Sequence, residues 1–142
     1  MELKLDMAKA YDRLEWPFIR EVLSSMGFPP QFMNLVMRCV TTVSYRILVN
    51  GQPSSSFQPE RGIRQGDPLS PYLCILCANI LSGLLKVEVP NKGIHGVQVA
   101  RSAPVILHLS FDDDSLLFAR ANAKEADCLL GVLRKYQAVS GQ

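Results

Sequence analysis

The chain has 142 residues, and 48% of them are hydrophobic, which is enough for one domain with a sizeable core and too much for a disordered segment. Fifteen basic and 13 acidic residues give a net charge of +2, a bias too small to indicate a nucleic acid or a membrane as the partner. Any argument from charge must therefore be local.

Two features bear on the location of the protein. Charges at Glu2, Lys4 and Asp6 exclude the apolar core of a signal peptide, so we expect an intracellular protein, nuclear or cytoplasmic. The longest apolar stretch, residues 69–85, is interrupted by polar side chains and is short for a membrane span. We therefore expect a buried helix there and no membrane partner.

The first part of the chain predicts a strand followed by two helices. The run LKLDM is typical of a short strand, and Trp16 marks the start of a helix that ends at Gly27. Another helix follows Pro30, and its apolar residues recur at intervals of three and four, which predicts one buried stripe. That stripe consists of Phe32, Leu35, Val36, Cys39, Val40 and Val43.

The second part predicts a hairpin, three strands and two helices. Asn50-Gly51 indicates a tight hairpin, and a long helix is expected from about Leu69 to about Val87. The runs GIHGVQVA, VILHLSF and SLLFAR are typical of strands, with Asp112–Asp114 between the last two. The final run is typical of a helix with one apolar face, formed by Ala126, Leu129, Leu130, Leu133 and Tyr136.

The four cysteines are expected to be reduced thiols in the core. Cys74 and Cys77 lie three residues apart in an apolar run, whereas Cys39 and Cys128 stand alone. Neither histidine lies at a spacing that would complete a zinc site with the paired cysteines. A metal bound through sulfur is therefore not expected.

Three consecutive carboxylates, Asp112–Asp114, lie between two apolar runs. At about 5 Å and an effective dielectric near 20, each pair repels by roughly 3 kcal/mol, which a bound divalent cation would offset. Asp6, near the end of the first strand, is the best candidate for a further ligand. Two such strands side by side would suit two Mg²⁺ ions about 3.5 to 4 Å apart and phosphoryl transfer. The alternative is an acidic surface turn.

Three separated segments resemble, in order and spacing, motifs A, B and C of the reverse transcriptase palm. They read LKLDMAKAYDRLEW, RGIRQGDPLSPYLC and HLSFDDDSLLFAR, and their wording is closest to LINE-type (non-LTR) retrotransposons of plants. The resemblance covers nearly all of the chain. It implies an α+β palm over residues 1–142, with a three- to four-stranded antiparallel sheet backed by two or three helices.

The resemblance also implies which carboxylates do the chemistry. Asp6, Asp113 and Asp114 take the catalytic positions, and Asp6, Asp113 and the backbone carbonyl of Met7 take those of metal ligands. Two Mg²⁺ or Mn²⁺ ions are the implied cofactors. Asp112 departs from the pattern because the LINE-type motif has alanine there, and an added carboxylate would repel phosphate or displace a metal.

Other positions of the motifs imply nucleotide binding. Tyr11 matches the aromatic residue that faces the sugar and excludes the 2′-hydroxyl group. Gln65 and Gly66 match motif B residues beside the incoming nucleotide and the template base, where glycine allows a close backbone approach. Asp67 is interpreted as a cap of the following helix.

The implied function is that of an RNA-directed DNA polymerase domain of a non-LTR retrotransposon. Its partners would be an RNA template, a DNA primer and a deoxynucleoside triphosphate. Only five residues precede Asp6, so we expect a palm fragment without fingers and thumb that is inactive alone. The alternative is a noncatalytic remnant, unused or retained as a nucleic-acid-binding or protein-binding module. The oligomeric state stays open.

Overall fold

The computed structural model describes residues 1–7, 9–91, 93–111 and 114–142, and the side chains of Asp6 and Phe111 lie outside that description. Most strands and helices of the described chain follow the sequence prediction. The strands are β1 (Glu2–Asp6), β2 (Leu48–Val49), β3 (Gln52–Pro53), β4 (His108–Phe111) and β5 (Asp114–Phe118). The helices are α1 (Ala10–Arg13), α2 (Trp16–Ser25), α3 (Pro30–Thr41), α4 (Ser70–Glu88) and α5 (Ala123–Ser140).

An antiparallel sheet in the order β1-β5-β4 brings the first strand next to the last hairpin. The pairing of β1 with β5 runs from Glu2 opposite Phe118 to Asp6 opposite Asp114, and Phe111 at the end of β4 lies opposite the same Asp114. A separate hairpin joins β2 to β3 at Asn50-Gly51, as the sequence predicts. The α+β palm fold is thereby confirmed.

The core lies between one face of the sheet and helices α2, α4 and α5. Side chains alternate across a strand, so Ser115 and Leu117 of β5 are buried while their neighbours are half-buried. The helices contribute the opposite wall of the core. Its fully buried members include Leu14, Ile19, Leu23, Leu85 and Leu129.

Helix α4 confirms the long predicted helix and carries an apolar surface on more than one side. Among the described residues it is long and apolar enough, by length and composition, to cross a membrane. Its residues Leu73, Cys77, Leu81 and Leu85 face the core, which accounts for one apolar stripe. Tyr72 and Ile75 are also apolar, but they stay exposed.

The predicted strand GIHGVQVA is wrong. Within it the structure shows only an isolated bridge, in which the amides of Val97 and Ile106 each donate a hydrogen bond to the other residue's carbonyl, at 2.9 and 2.8 Å. Gly96 has a φ of 66°, a left-handed conformation that interrupts an extended run.

The predicted buried faces of two helices are partly wrong. In α3 the buried residues are Val36, Met37 and Val40, which join the core where α3 packs against α2, whereas Phe32 and Leu35 lie outside that contact face and are exposed. In α5 the buried face consists of Glu125, Leu129, Val132, Tyr136 and Ser140, and Leu130 is exposed.

The prediction that the cysteines are reduced thiols in the core is confirmed in full for one residue. Cys77 is buried, and burial together with Cys74 raises its pKa to about 12, so the thiol is neutral. Cys39 is exposed, because it lies on the outer side of α3, and its assignment to the core is wrong. All four cysteines are free thiols.

Buried Glu125 fastens the start of α5 to two loops. Its carboxylate accepts hydrogen bonds from the amides of His95 at 3.1 Å and Arg120 at 3.0 Å, and His95 Nδ1 lies 2.8 Å from Oε1. The amide of Glu125 donates to the side chain of Asn122, so the pair forms the start of the helix. Burial by itself raises the pKa of Glu125, but these hydrogen bonds outweigh it and lower the pKa to about 2.

We expect Glu125→Gln to lower the free energy of unfolding by about 1.5 to 3 kcal/mol at pH 7. The pKa of Glu125 in the folded chain lies below its ordinary value of 4.5, so the charged form stabilises the fold above that pH. The stabilisation by the charged carboxylate disappears as the pH falls toward 2. The substitution should therefore lower the free energy of unfolding by less at pH 3 than at pH 7. Urea unfolding at both pH values measures this, with exposed Glu21→Gln as the control. Equal losses at both pH values would contradict the assignment.

Candidate active site

The acidic parts of the chain converge at one end of the three-stranded sheet. Strand β1 ends at Asp6, β4 ends at Phe111, and both positions are paired with Asp114, the first residue of β5. Asp112 and Asp113 lie outside the described residues, so the roles expected for them stay predictions. The register therefore brings together the backbones of two of the three expected catalytic residues.

Lys4 forms an ion pair with Asp114 that the sequence analysis missed. The Lys4 Nζ atom lies 2.9 Å from Oδ2 of Asp114, and both side chains are largely exposed. Lys4 lies opposite Leu116, so the register places it diagonally across from Asp114. An exposed pair of this kind contributes at most about 1 kcal/mol. It nevertheless supplies part of the positive charge that the acidic cluster requires.

The donor atoms at this end of the sheet fit a divalent cation by their chemistry. Carboxylates of Asp6, Asp113 and Asp114 and the carbonyl of Met7 are hard oxygen ligands, which Mg²⁺ and Mn²⁺ prefer. The register of Asp6 against Asp114 sets two of these positions side by side. Among the side chains that the structure describes, no cluster of three or more potential metal ligands occurs.

Tyr11 of motif A lies in the short helix α1 and borders a cavity of about 530 Å³ between α4 and β4. The cavity wall also includes Ser82 and His108, whose Oγ and Nε2 atoms lie 2.7 Å apart. Burial, with the charge of Lys86, lowers the pKa of His108, so the ring is neutral at pH 7. Tyr11 is half-buried and faces a space with both polar and apolar walls.

The start of motif B is fastened to the Tyr11 turn by backbone hydrogen bonds. The amide of Ile63 donates to the carbonyl of Tyr11 at 2.7 Å, and the amide of Gly62 donates to the carbonyl of Leu14 at 2.8 Å. The indole Nε1 of Trp16 donates to the carbonyl of Gly62, also at 2.7 Å. From the sequence, Trp16 was expected only to mark the start of a helix and Gly62 had no role, because their contact joins residues far apart in the chain.

The residues expected to approach the nucleotide follow this junction directly. Gln65 and Gly66 are exposed, and Gly66 has a φ of 84° with no atom within 4 Å of the position that a Cβ would occupy. Asp67 accepts a hydrogen bond from the amide of Leu69 at 2.8 Å in the turn that leads into α4. The bond closes the turn before α4, but the N-cap of α4 is Leu69 and no side chain caps the helix, so the interpretation of Asp67 as the cap is wrong.

Comparison with known proteins decides the family. The profile of the reverse transcriptase (RNA-dependent DNA polymerase) family matches residues 1–141, almost the whole chain. The chain belongs to the reverse transcriptase family. This membership confirms the resemblance on which motifs A, B and C were assigned, and proteins of the family generally use divalent metal ions.

Relatives of this reverse transcriptase domain include retrotransposon polyproteins. The Pol polyprotein of the R2DM element of Drosophila melanogaster is 33% identical over 115 residues, which cover 81% of this chain and 10% of the polyprotein. An R2 polyprotein of Popillia japonica is 30% identical over 115 residues, which cover 81% of this chain and 18% of that protein. An uncharacterized mitochondrial protein of Arabidopsis thaliana is 47% identical over 68 residues, 48% of this chain and 56% of its own length.

These matches confirm a reverse transcriptase domain of the non-LTR retrotransposon type, and the chain spans only a small part of the R2 polyproteins. Solved telomerase structures share the fold. The telomerase of Candida tropicalis, truncated from its C-terminal domain, superposes with a TM-score of 0.67 at 17% identity over 97% of this chain and 28% of that one. The telomerase of Candida albicans, in complex with a telomeric RNA fragment, has a TM-score of 0.69 at 17% identity over 99% and 26%.

We expect Gly62→Ala to destabilise the domain by about 2 to 4 kcal/mol. Gly62 has a φ of 85°, and a Cβ atom there would lie 2.7 Å from the carbonyl oxygen of Asp12, which is fixed backbone. Gly51→Ala is the matched control, because Gly51 has a φ of 78° and no atom within 4 Å of its Cβ position. Urea unfolding measures both variants. Equal losses of stability in the two variants would show that backbone strain, and not the close approach to Asp12, accounts for the effect at Gly62.

Proposed function

We propose that the chain is the palm of an RNA-directed DNA polymerase that performs nucleotidyl transfer as part of a longer polyprotein. The observation that carries the proposal is the register of β1 on β5, which sets Asp6 opposite Asp114 at the end of the sheet. An RNA template, a DNA primer and a deoxynucleoside triphosphate are the proposed partners. Because these substrates are found inside cells, we propose an intracellular location, nuclear or cytoplasmic.

The proposed metal ligands are Asp6, Asp113 and the carbonyl of Met7, with two Mg²⁺ or Mn²⁺ ions. When bound, such ions neutralise charge on the triphosphate and favour ionisation of the primer 3′-hydroxyl group. Asp114 is the third catalytic carboxylate, and its pairing with Lys4 limits the repulsion among the aspartates before cations bind. The chain's own contribution begins with the strand pairing that sets Asp6 opposite Asp114 at one end of the sheet.

The proposed nucleotide contacts flank these carboxylates. Tyr11 lies five residues after Asp6, and its ring would stand against the sugar and exclude a 2′-hydroxyl group. Gln65 and Gly66 are exposed in the loop before α4, where the absence of a side chain at Gly66 leaves room for a base or sugar. These contacts orient the substrate, which converts binding energy into a lower barrier.

A noncatalytic remnant is the second candidate, and Asp112 favours it. The family pattern has alanine at that position, and a third consecutive carboxylate adds negative charge where a triphosphate must enter. Retention as a nucleic-acid-binding or protein-binding module belongs to this candidate. The two candidates differ in one measurable property, which is templated primer extension.

We expect primer extension from a chimera in which residues 1–141 replace the matched segment of the R2DM polyprotein. The assay uses poly(rA)/oligo(dT) with Mg²⁺ or Mn²⁺. Asp113→Asn removes a charged ligand and should lower the rate by at least about 100-fold. Asp127→Asn, an exposed aspartate of α5, is the control and should leave the rate unchanged. Extension that persists in the Asp113→Asn chimera would refute the catalytic assignment.

We expect Asp112→Ala to raise extension by the same chimera by about tenfold, because it relieves roughly 1.4 kcal/mol of like-charge repulsion. Thermal unfolding of both chimeras checks that the substitution does not act through folding. A chimera that is folded and inactive, with or without Asp112→Ala, would establish the remnant and refute the polymerase.

A further inference from the structure

The turn that carries Tyr11 has few local hydrogen bonds of its own. Helix α1 spans only Ala10–Arg13, and Lys9 at its start has a left-handed φ of 60° with no side-chain cap. A helix of one turn is unstable by itself, because nucleation of a helix costs more free energy than the hydrogen bonds of a single turn supply. The position of Tyr11 must therefore come from contacts with other parts of the chain.

One such contact is the junction with the Gly62 loop at the start of motif B. Two backbone hydrogen bonds, Ile63 N to Tyr11 O and Gly62 N to Leu14 O, join the two segments as a short two-stranded clamp. The absence of a Cβ at Gly62 lets the clamp close, since that atom would lie 2.7 Å from Asp12 O. The indole of Trp16 then donates to the remaining polar group, the carbonyl of Gly62.

A second contact holds the other side of the same turn. Gln142 Nε2 donates to the carbonyl of Ala10 at 2.9 Å, and the amide of Glu15 donates to the carbonyl of Ser140 at 3.0 Å. The turn is thus held between the end of α5 and the Gly62 loop. Of these anchors, only the Gly62 loop continues directly into Gln65 and Gly66.

We propose that Trp16 and Gly62 are positioning residues for sugar selection, which they control by locking the Tyr11 turn to the loop that carries Gln65 and Gly66. The inference rests on the proposed function, because it assumes that Tyr11 faces the sugar. The two nucleotide-facing segments then keep a fixed separation. A steric barrier against a 2′-hydroxyl group works only if the ring cannot retreat, and a displacement of about 1 Å is enough to weaken such discrimination.

Trp16→Phe tests the junction with a small change. Phenylalanine keeps an aromatic ring against the core but removes the only indole donor to Gly62 O. The matched control is Ser25→Ala, which removes one side-chain hydrogen bond, to Val22 O at 2.8 Å, from the same helix. That bond is remote from both loops in the chain, so the control reports loss of a hydrogen bond in α2 alone.

The first measurement is amide hydrogen exchange of the 142-residue chain. We expect Trp16→Phe to accelerate exchange at Gly62 and Ile63 by about tenfold, because one hydrogen bond of the clamp is lost. Exchange at Phe118, whose amide donates to Leu107 O, should not change. Unchanged exchange at Gly62 and Ile63, or equal acceleration at Phe118, would overturn the proposal.

The second measurement is the ratio of kcat/KM for dTTP to that for UTP in the R2DM chimera. We expect Trp16→Phe to lower this ratio by about fivefold or more, and Ser25→Ala to leave it unchanged. An unchanged ratio in Trp16→Phe would overturn the positioning role and leave the polymerase intact. Absence of dTTP extension in the unsubstituted chimera would instead refute the proposed function, and sugar selection would fall with it.

Discussion

The antiparallel register of β1 on β5 is the constraint on which the site depends. Five consecutive pairs run from Glu2 opposite Phe118 to Asp6 opposite Asp114. A slip of one residue would turn every side chain of β1 to the other face of the sheet. Leu3 and Leu5 would then leave the core that they pack against, so burial of apolar side chains enforces the register. The backbone pairing of Asp6 with Asp114, on which the proposed active site rests, is thus a consequence of core packing.

The one acidic side chain described at this end of the sheet, that of Asp114, has a positively charged partner. Lys4 pairs with Asp114 from the neighbouring strand, while the proposed cations would supply further positive charge when substrate binds. An exposed lysine is easily displaced, so this compensation does not compete strongly with a metal ion. Asp112 adds charge without a counterpart in the family pattern.

Loops around the site depend on contacts between residues that are distant in the chain. Gly62 closes against the Tyr11 turn, and Gln142 reaches Ala10 from the other side. Glu125 holds the start of α5 in a similar way, because its carboxylate binds the amides of the His95 loop and of the segment after β5. Each contact provides a hydrogen-bond partner for backbone amides or carbonyls that would otherwise lack one in a half-buried place. Short elements near the site are therefore stable only in the folded whole.

The sequence by itself determined the elements whose signals are local. Motif order indicated the family, Trp16 and Gly27 delimited α2, Asn50-Gly51 indicated the hairpin, and apolar composition predicted α4. Periodicity indicated that α3 and α5 had apolar faces, but not which face would be covered. Phe32 and Leu130 are exposed because neighbouring helices, which no local pattern specifies, cover the other side.

Only the tertiary structure decided the partners of the site residues. Lys4 beside Asp114, Trp16 against Gly62 and Gln142 against Ala10 join positions that are up to 132 residues apart. A sequence pattern indicates relations between residues a few positions apart, whereas these contacts arise from strand register and helix packing. The motifs therefore indicate the chemistry of the palm, but they do not indicate which contacts hold the motifs in place.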